Sequence, residues 1–328
     1  MTNPKSQLRF IVIGRAGMDL YPEPAGTKTA EATRFSAMLG GSAANIAAGL
    51  ARLGAQVELM TALSDDPVGR FCAAQLEAFG IGQGLVSTSG PDTRTSLALS
   101  ENRLEDHETV IYRNGAADFD LAVDLPDRME LDGLAALVVT GTALAREPSR
   151  AVTLHAIARA QEARVPVVLD LDYRPYSWAS ARDASEVYAA TARRSDIVVG
   201  NDLEFAILQG TSDPSPDYAR QLSNDGPETC IYKMGQDGAI TFHAGAESAS
   251  GIYPVTALKP VGAGDAFLAS FLAARFSGGE MSEAVRRGSA AAALVVSRPG
   301  CSNAMPLAEE VTAFMLANIM TAPGAVEG

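Results

Sequence analysis

A glycine-rich turn that ends in an aspartate, Pro260-Val261-Gly262-Ala263-Gly264-Asp265-Ala266-Phe267, runs directly into an Ala- and Leu-rich stretch. Small residues there let the N–H groups that open a helix face one point. Unpaired N–H groups and the helix dipole make such a point a site for an anion. A carboxylate at that point repels phosphate, but it is suited to taking a proton from a hydroxyl that attacks the phosphate. Gly-x-Gly-Asp at a helix start therefore fits phosphoryl transfer to an alcohol. The same residues also make an ordinary glycine turn with an aspartate capping a helix. No GxxxxGK[ST] occurs in the chain. Gly14-Arg15-Ala16-Gly17 lacks the third glycine of a dinucleotide fingerprint, which argues against a nicotinamide dehydrogenase.

The hydrophobic pattern supplies elements that would carry this turn. Residues 8–13 predict a buried strand ended by Gly14. Gly40-Gly41-Ser42 then opens a helix over 43–53, with Ser42 as N-cap and Gly54 as stop. A strand over 57–63 and a helix over 71–79 follow. The rhythm resumes with strands at 134–140, 165–171 and 196–199, and helices at 149–163 and 184–194. A final strand pair, 228–233 and 239–243, surrounds the Gly235–Gly238 turn. Helices over 263–276, 282–297 and 307–320 close the chain, with a frayed end beyond. This is an α/β pattern, read as one domain across all 328 residues. Two stretches break it, about 18–38 and 94–118. Short alternating segments at 95–100 and 109–113 make them either strands of a small sheet over one end of the main domain or long loops.

Composition narrows the partners. Lys and Arg number 26 against 39 Asp and Glu, a formal net charge of −13. Nucleic acid and anionic membranes are poor partners for such a surface, and each basic residue in a site becomes informative. Three scattered cysteines (Cys72, Cys230, Cys301) and three scattered histidines (His107, His155, His243) predict neither a disulfide framework nor a zinc site. Residues 1–9 have no apolar signal core, and no apolar run reaches membrane-spanning length, so a cytoplasmic protein is expected.

The turn keeps informative company. Asp19, Gly40-Gly41 with Ala44-Asn45, Asn201-Asp202-Leu203-Glu204, and the GAGD turn with AAALVV beyond it occur in the order and spacing of one family. Over nearly its whole length the chain resembles the ribokinase-like PfkB carbohydrate kinases. The resemblance implies a doubly wound α/β sheet flanked by helices, with a small β-sheet lid formed by about 18–38 and 94–118. It implies ATP and Mg2+ as cofactors, Asp265 as catalytic base, and Gly262, Ala263 and Gly264 as the anion hole over the γ-phosphate. Asn201 and Glu204 would hold the Mg-bound phosphates, Glu204 through water; the pair also reads as an ordinary helix N-terminus. Lys233, Gly235 and Gly238 match a KxGxxG turn beside the nucleotide. Ser289 and residues 297–302 would flank the adenine and the loop after it. Asp19, Gly40, Gly41 and Asn45 match sugar contacts: the carboxylate accepts from two hydroxyls, the amide both donates and accepts, and the glycines let the sugar approach backbone.

One position departs from the family. Many members carry an acidic residue, six positions before the base, that helps bind a monovalent cation; here it is Lys259. An ammonium cannot ligate potassium. Lys259 either brings its own charge to the loop in place of the cation or points to solvent. Arginines carry the substrate reading, because guanidinium forks bind carboxylates bidentately. Tyr112-Arg113 and Asp172-Tyr173-Arg174 are similar to segments of 2-keto-3-deoxygluconate kinases, and Arg15 would be a further carboxylate or ketone contact. Each arginine would otherwise sit in an intrachain or surface ion pair. Residues 14–21, 169–178 and 297–306, together with Lys259, resemble the branch acting on 5-dehydro-2-deoxy-D-gluconate. This implies phosphorylation of its 6-hydroxyl in myo-inositol breakdown. Tyr176 and Trp178 read as packing residues. The alternatives are a kinase for 2-keto-3-deoxygluconate or fructose on the same fold, and a catalytically silent sugar-acid-binding regulator. Exposed lid strands would be edges seeking cover, and paired lids in a homodimer are one solution.

Overall fold

The computed structural model describes residues 7–103 and 106–324. The polar start at 1–6, residues 104–105 of the second interrupting stretch, and 325–328 of the expected frayed end lie outside the described residues. In chain order the elements are β1 (Arg9–Ile13), β2 (Gly17–Pro22), β3 (Phe35–Gly40), α1 (Ser42–Arg52), β4 (Gln56–Leu63), α2 (Pro67–Ala78), β5 (Val86–Thr88), β6 (Ser96–Ser100), β7 (Thr109–Tyr112), β8 (Ala136–Thr140) and α3 (Ser149–Glu162). There follow β9 (Val167–Asp170), α4 (Ala181–Ala192), β10 (Ile197–Asn201), α5 (Asp202–Gln209), α6 (Pro216–Asp225), β11 (Thr229–Lys233), β12 (Ala239–His243), β13 (Ala246–Ser250), α7 (Ala263–Phe276), α8 (Met281–Val296) and α9 (Ala308–Ala317).

Nine strands form the main sheet in the order β13-β12-β11-β10-β9-β8-β1-β4-β5. From β5 through β11 the neighbours are parallel, and β12 and β13 continue antiparallel. The central strands are near-continuous apolar runs because helices cover both faces. Phe10, Val12, Val138 and Val168 face one core with α1 and α7, while Ile11, Ile13, Val139 and Leu169 face the other. Small residues allow close helix approach: a Cβ on Gly49 of α1 would stand 2.7 Å from the Ala269 Cβ of α7. The chain leaves β1 for β4 and β5, then crosses back to β8, so the direction of winding reverses between β1 and β8. Crevices at the carboxyl ends of strands form at such reversals.

The two interrupting stretches form a second sheet, in the order β3-β2-β6-β7. Its register places Leu20 beside Ala37 and Leu99, Leu97 beside Met18 and Tyr112, and Leu99 beside Val110. Alternation turns Asp19, Ala98 and Ile111 to the opposite face. One face of this sheet is therefore apolar, and the other carries Asp19 toward the main domain.

Some local expectations need correction. Ser42 is not the N-cap of α1; Gly41 is, at φ +97°, and the Ser42 side chain points elsewhere. Helix α2 starts earlier than expected, at Pro67, because the Asp66 carboxylate accepts from the N–H groups of Val68 and Gly69. The final strand pair is a trio with β13, and the helices α5 and α6 lie between β10 and β11. The chain beyond α9 is tied down rather than frayed at Thr321, whose N–H donates to the Ile252 carbonyl. No helix among the described residues is long and apolar enough to cross a membrane.

Gly238 stands at the start of β12 with φ +93°, and a Cβ there would lie 1.9 Å from the Ser250 carbonyl oxygen. Gly238→Ala is expected to destabilise the protein by about 2 kcal/mol or more through strain and collision. Thermal unfolding without ligand checks this, and an unchanged melting temperature would contradict it.

Candidate active site

The carboxyl edge of the main sheet, the polar face of the small sheet and the first turns of α1 and α7 enclose a cavity of about 460 Å³. Asp170, Asn201 and Lys233, the last residues of three adjacent parallel strands, project into it. The small sheet contributes Asp19, Ala98, Ser100, Thr109 and Ile111.

Helix α7 opens on Gly262, at φ +90°, with no side-chain cap. Its first backbone bond runs from the Ala266 N–H to the Gly262 carbonyl. The N–H groups of Ala263, Gly264 and Asp265 thus have no intrahelical partner and are available to an anion. The Asp265 carboxylate accepts from Ser42 Oγ at 2.9 Å and from Asn45 Nδ2 at 2.8 Å, so the starts of α1 and α7 meet on one side chain. Burial, and then the charge of Asp172, push this carboxyl up to about 6, against the pull of Asn45, Ser42 and Arg174. A carboxylate poised just below neutrality suits a general base.

Across from it, Lys233 Nζ lies where a Cβ on Gly264 would be 3.2 Å away, so its charge faces the helix start. Asp170 is held well above the usual carboxylate range by burial, opposed by Lys233 and reinforced by Glu204, Asp172 and Asp265. Asn201 and Glu204 make a reciprocal capping box at the start of α5: Asn201 Oδ1 accepts from the Glu204 N–H, and Glu204 Oε2 accepts from the Asn201 N–H. Glu204 Oε1 also accepts from the Tyr173 N–H at 3.2 Å. The pair is thus a helix cap whose outer face lines the cavity. Among the described residues no three His, Cys, Asp or Glu side chains are grouped to hold a metal directly. Glu204 and Asp170 are the carboxylates that would face magnesium carried on a phosphate.

At the other end, Asp19 is buried, and its Oδ1 has no hydrogen-bond partner. Such an atom calls for a donor, which a ligand hydroxyl in the cavity would supply. Burial raises the Asp19 carboxyl, with Arg15 and the Tyr21 hydroxyl opposing. Gly40 does not line the cavity; its missing side chain makes room for the Asp19 carboxylate, 2.0 Å from where a Cβ would stand. Gly41 does line it, and a Cβ there would strike the Arg15 carbonyl at 2.4 Å.

The arginines divide. Arg113 lines the cavity but is committed within the protein: it is buried, donates to Asp118 and to Ser177 Oγ, and stacks 4.1 Å over the Phe119 ring. Its expected part as a substrate fork is corrected accordingly. Arg15 makes one side-chain bond, from Nη1 to Ser96 Oγ at 3.0 Å. Arg174 is half exposed and pairs with Asp172 at 2.8 Å. Both keep donors for a ligand. Asp172, at φ +36°, also accepts from Thr142 Oγ1 at 3.1 Å.

Other positions fall outside the cavity. Tyr112 is exposed on the apolar face of the small sheet, because alternation turns Ile111 inward in its place. Ser289 is buried in α8, next to Gly288, which packs on Phe267. Gly235 and Gly238 do not line it, nor does Lys259, and Ala263 offers only its N–H at the helix start beside Gly262 and Gly264. Lys259 is 1% exposed, which rules out the solvent-pointing alternative; its Nζ donates to the Val261 carbonyl at 2.5 Å under the anion-binding turn. Burial lowers its pKa, opposed by Cys301, Asp265 and Asp19. The loop after α8, expected beside adenine, also reaches the Asp19 end of the cavity: Cys301 Sγ is 3.3 Å from Tyr21 Oη, and Ser302 Oγ reaches Asn45.

Sequence reasoning missed Ser42, Asp170, Thr142, His107 and Tyr176 as lining residues. Tyr176, a packing residue by sequence, lines the cavity instead, whereas Trp178 does pack, 5.0 Å from the Tyr188 ring. Ser42 was hidden by its cap-like position, and Asp170 carried a readable signal as an acid ending a buried strand.

Comparison with known proteins agrees with this geometry. The family model described as pfkB family carbohydrate kinase matches residues 7–308. A 5-dehydro-2-deoxygluconokinase of Photobacterium profundum is 38% identical over 314 residues, covering 94% of this chain and 95% of the relative. One from Shouchella clausii is 34% identical over 312 residues, covering 94% and 96%. Among solved structures, a putative ribokinase II from E. coli in complex with ATP and Mg2+ superposes with a TM-score of 0.84 at 19% identity, covering 95% of this chain and 99% of that one.

Because Arg113 and Asp118 are both buried, Arg113→Met is expected to lower stability by roughly 3 kcal/mol or more, by stranding a buried carboxylate. Unfolding of the ligand-free protein checks this. A variant as stable as the wild type, but with weakened sugar binding, would restore the arginine to substrate recognition.

Proposed function

The chain belongs to the pfkB family of carbohydrate kinases, and on that premise we propose that it transfers the γ-phosphoryl of ATP to the 6-hydroxyl of 5-dehydro-2-deoxy-D-gluconate, in the breakdown of myo-inositol. The observation that carries the reading is a base poised near neutrality at an uncapped helix start, with Arg15 and Arg174 keeping free donors in the same cavity. Such donors suit the carboxylate of a sugar acid. ATP is a cytoplasmic cosubstrate, and the reading puts the enzyme there.

In the proposed mechanism Asp19 accepts from sugar hydroxyls. Asp265 takes the proton of the primary hydroxyl as its oxygen attacks the γ-phosphorus and ADP departs. The N–H groups of Ala263 and Gly264, with Lys233, stabilise charge on the transferring phosphoryl. Glu204 would help hold magnesium carried on the phosphates, which would supply further charge neutralisation when bound. The small sheet acts as a lid that excludes water.

ADP release is measured with 5-dehydro-2-deoxygluconate, 2-keto-3-deoxygluconate, fructose and ribose. The first is expected to be preferred, with kcat/KM falling as pH drops through about 6, where Asp265 gains its proton. Asp265→Asn is expected to cost about 10³-fold or more in kcat. Preference for another sugar would keep the kinase and discard the substrate, and no ADP from any of them would favour a binding protein.

The buried Lys259 ammonium, bonded to the Val261 carbonyl, is read as a built-in replacement for a monovalent cation. Activity is expected to be the same in KCl and choline chloride at fixed ionic strength. Specific potassium activation would reject this. The apolar lid face, with Phe35, Val110 and Tyr112 exposed, is read as the contact between two copies in a homodimer. Light scattering at micromolar concentration is expected to give a dimer that Val110→Glu dissociates, and a monomeric wild type would refute it.

A further inference from the structure

Ser302, in the loop after α8, is fully buried and far in sequence from the catalytic turn. Its Oγ lies 2.8 Å from Asn45 Oδ1 and within bonding reach of the Leu39 carbonyl. A serine hydroxyl has one proton, so it serves one of these acceptors at a time. On its other side the Asn45 amide meets the base, with Nδ2 donating to Asp265 Oδ2 at 2.8 Å. The two ends of an amide are nearly the same size, and its hydrogen bonds decide which end points where. When Ser302 donates to Oδ1, the N–H₂ end must face Asp265, which is the orientation an ionised carboxylate needs. The reversed amide sets oxygen against oxygen, and only a protonated Asp265 tolerates that.

We propose that Ser302 is a positioning residue for the base: by donating to Asn45 Oδ1 it holds the amide with its N–H₂ toward Asp265, and so keeps the carboxylate ionised and aimed into the cavity. It acts through Asn45 and does not line the cavity itself. Of the influences that lower the Asp265 pKa against burial and Asp172, the Asn45 bond is the first, ahead of Ser42 and Arg174. The expected place of this loop beside adenine gives Ser302 no such part. The inference rests on Asp265 being the base.

The test is the pH dependence of kcat/KM for wild type, Ser302→Ala, Asn45→Ala and the double variant. Ser302→Ala is expected to move the acid limb upward by about one pH unit, because it releases a charge-assisted bond to the carboxylate. The loss is then about fivefold at pH 6, approaches about tenfold below it, and recovers toward the wild-type plateau near pH ~8.5. In the Asn45→Ala background, Ser302→Ala is expected to add no further displacement, because the two act as one unit. A second readout needs no substrate. A carboxyl raised in the folded state from 3.8 to about 6 loses stability relative to Asp265→Asn as pH rises across that window. In Ser302→Ala this loss is expected to continue to higher pH in melting-temperature series. If Ser302→Ala does not fold, Ser302→Cys, a weaker donor, carries both tests with a smaller displacement. Equal loss at every pH, or multiplying effects in the double variant, would reduce Ser302 to a packing residue and overturn the proposal. An acid limb that survives in Asp265→Asn would instead overturn the base itself.

Discussion

A single buried carboxylate, Asp265, ties together the first turns of two helices that belong to distant parts of the chain. Helix α1 follows β3 of the small sheet, and α7 follows the end of the main sheet. Each starts on a glycine at positive φ, and neither spends a side chain on capping. The side chains and amides of both first turns are thereby free to converge. Ser42 and Asn45 come from one helix, and the carboxylate and the bare N–H groups from the other. The remaining functional groups are placed by a simpler rule, since Asp170, Asn201 and Lys233 are the terminal residues of neighbouring parallel strands and must share one edge. A parallel sheet with a reversal of winding opens a crevice at that edge.

The electrostatics of the cavity follow from burying acids close together. Asp170 and Asp265 are both raised by burial and by the charge of Asp172, and Asp170 is raised further by Glu204 and Asp265. Lys233 and Arg174 offset part of this, and Lys259 adds positive charge from beneath the anion-binding turn. An acidic protein thus sets Lys233, Lys259 and Arg174 around this cavity, and leaves like-charged acids to raise the proton affinity of Asp265.

How much of this was legible in the sequence differs by scale. The α/β rhythm was readable because buried parallel strands are apolar on both faces, and the two stretches that broke it did form a second sheet. The GAGD turn drew notice by its residue types and Asp19 and Asn45 by the family resemblance, and all three meet at the cavity. Less was readable where a side chain's direction depends on a partner far away. Ser42 looked like a cap, yet Gly41 held the cap position and freed it. Arg113 looked like a carboxylate fork, yet Asp118 and Phe119 had claimed it. Tyr112 failed on a count of two, since its neighbours on β7 face the cavity. Lys259 was ambiguous because nothing local says whether a lysine beside proline is buried.

The two-faced small sheet has a consequence for how such a protein changes over generations. Residues 19, 98 and 111 look inward, while 18, 20, 97, 99, 110 and 112 look outward, so adjacent codons answer to unrelated selective pressures. Drift in one set alters what the cavity accepts, and drift in the other alters what the outer surface meets. The period of two keeps these histories separable as long as the pairing holds. A single-residue deletion within a strand is a different event: it exchanges the two sets at once and loses both inheritances together.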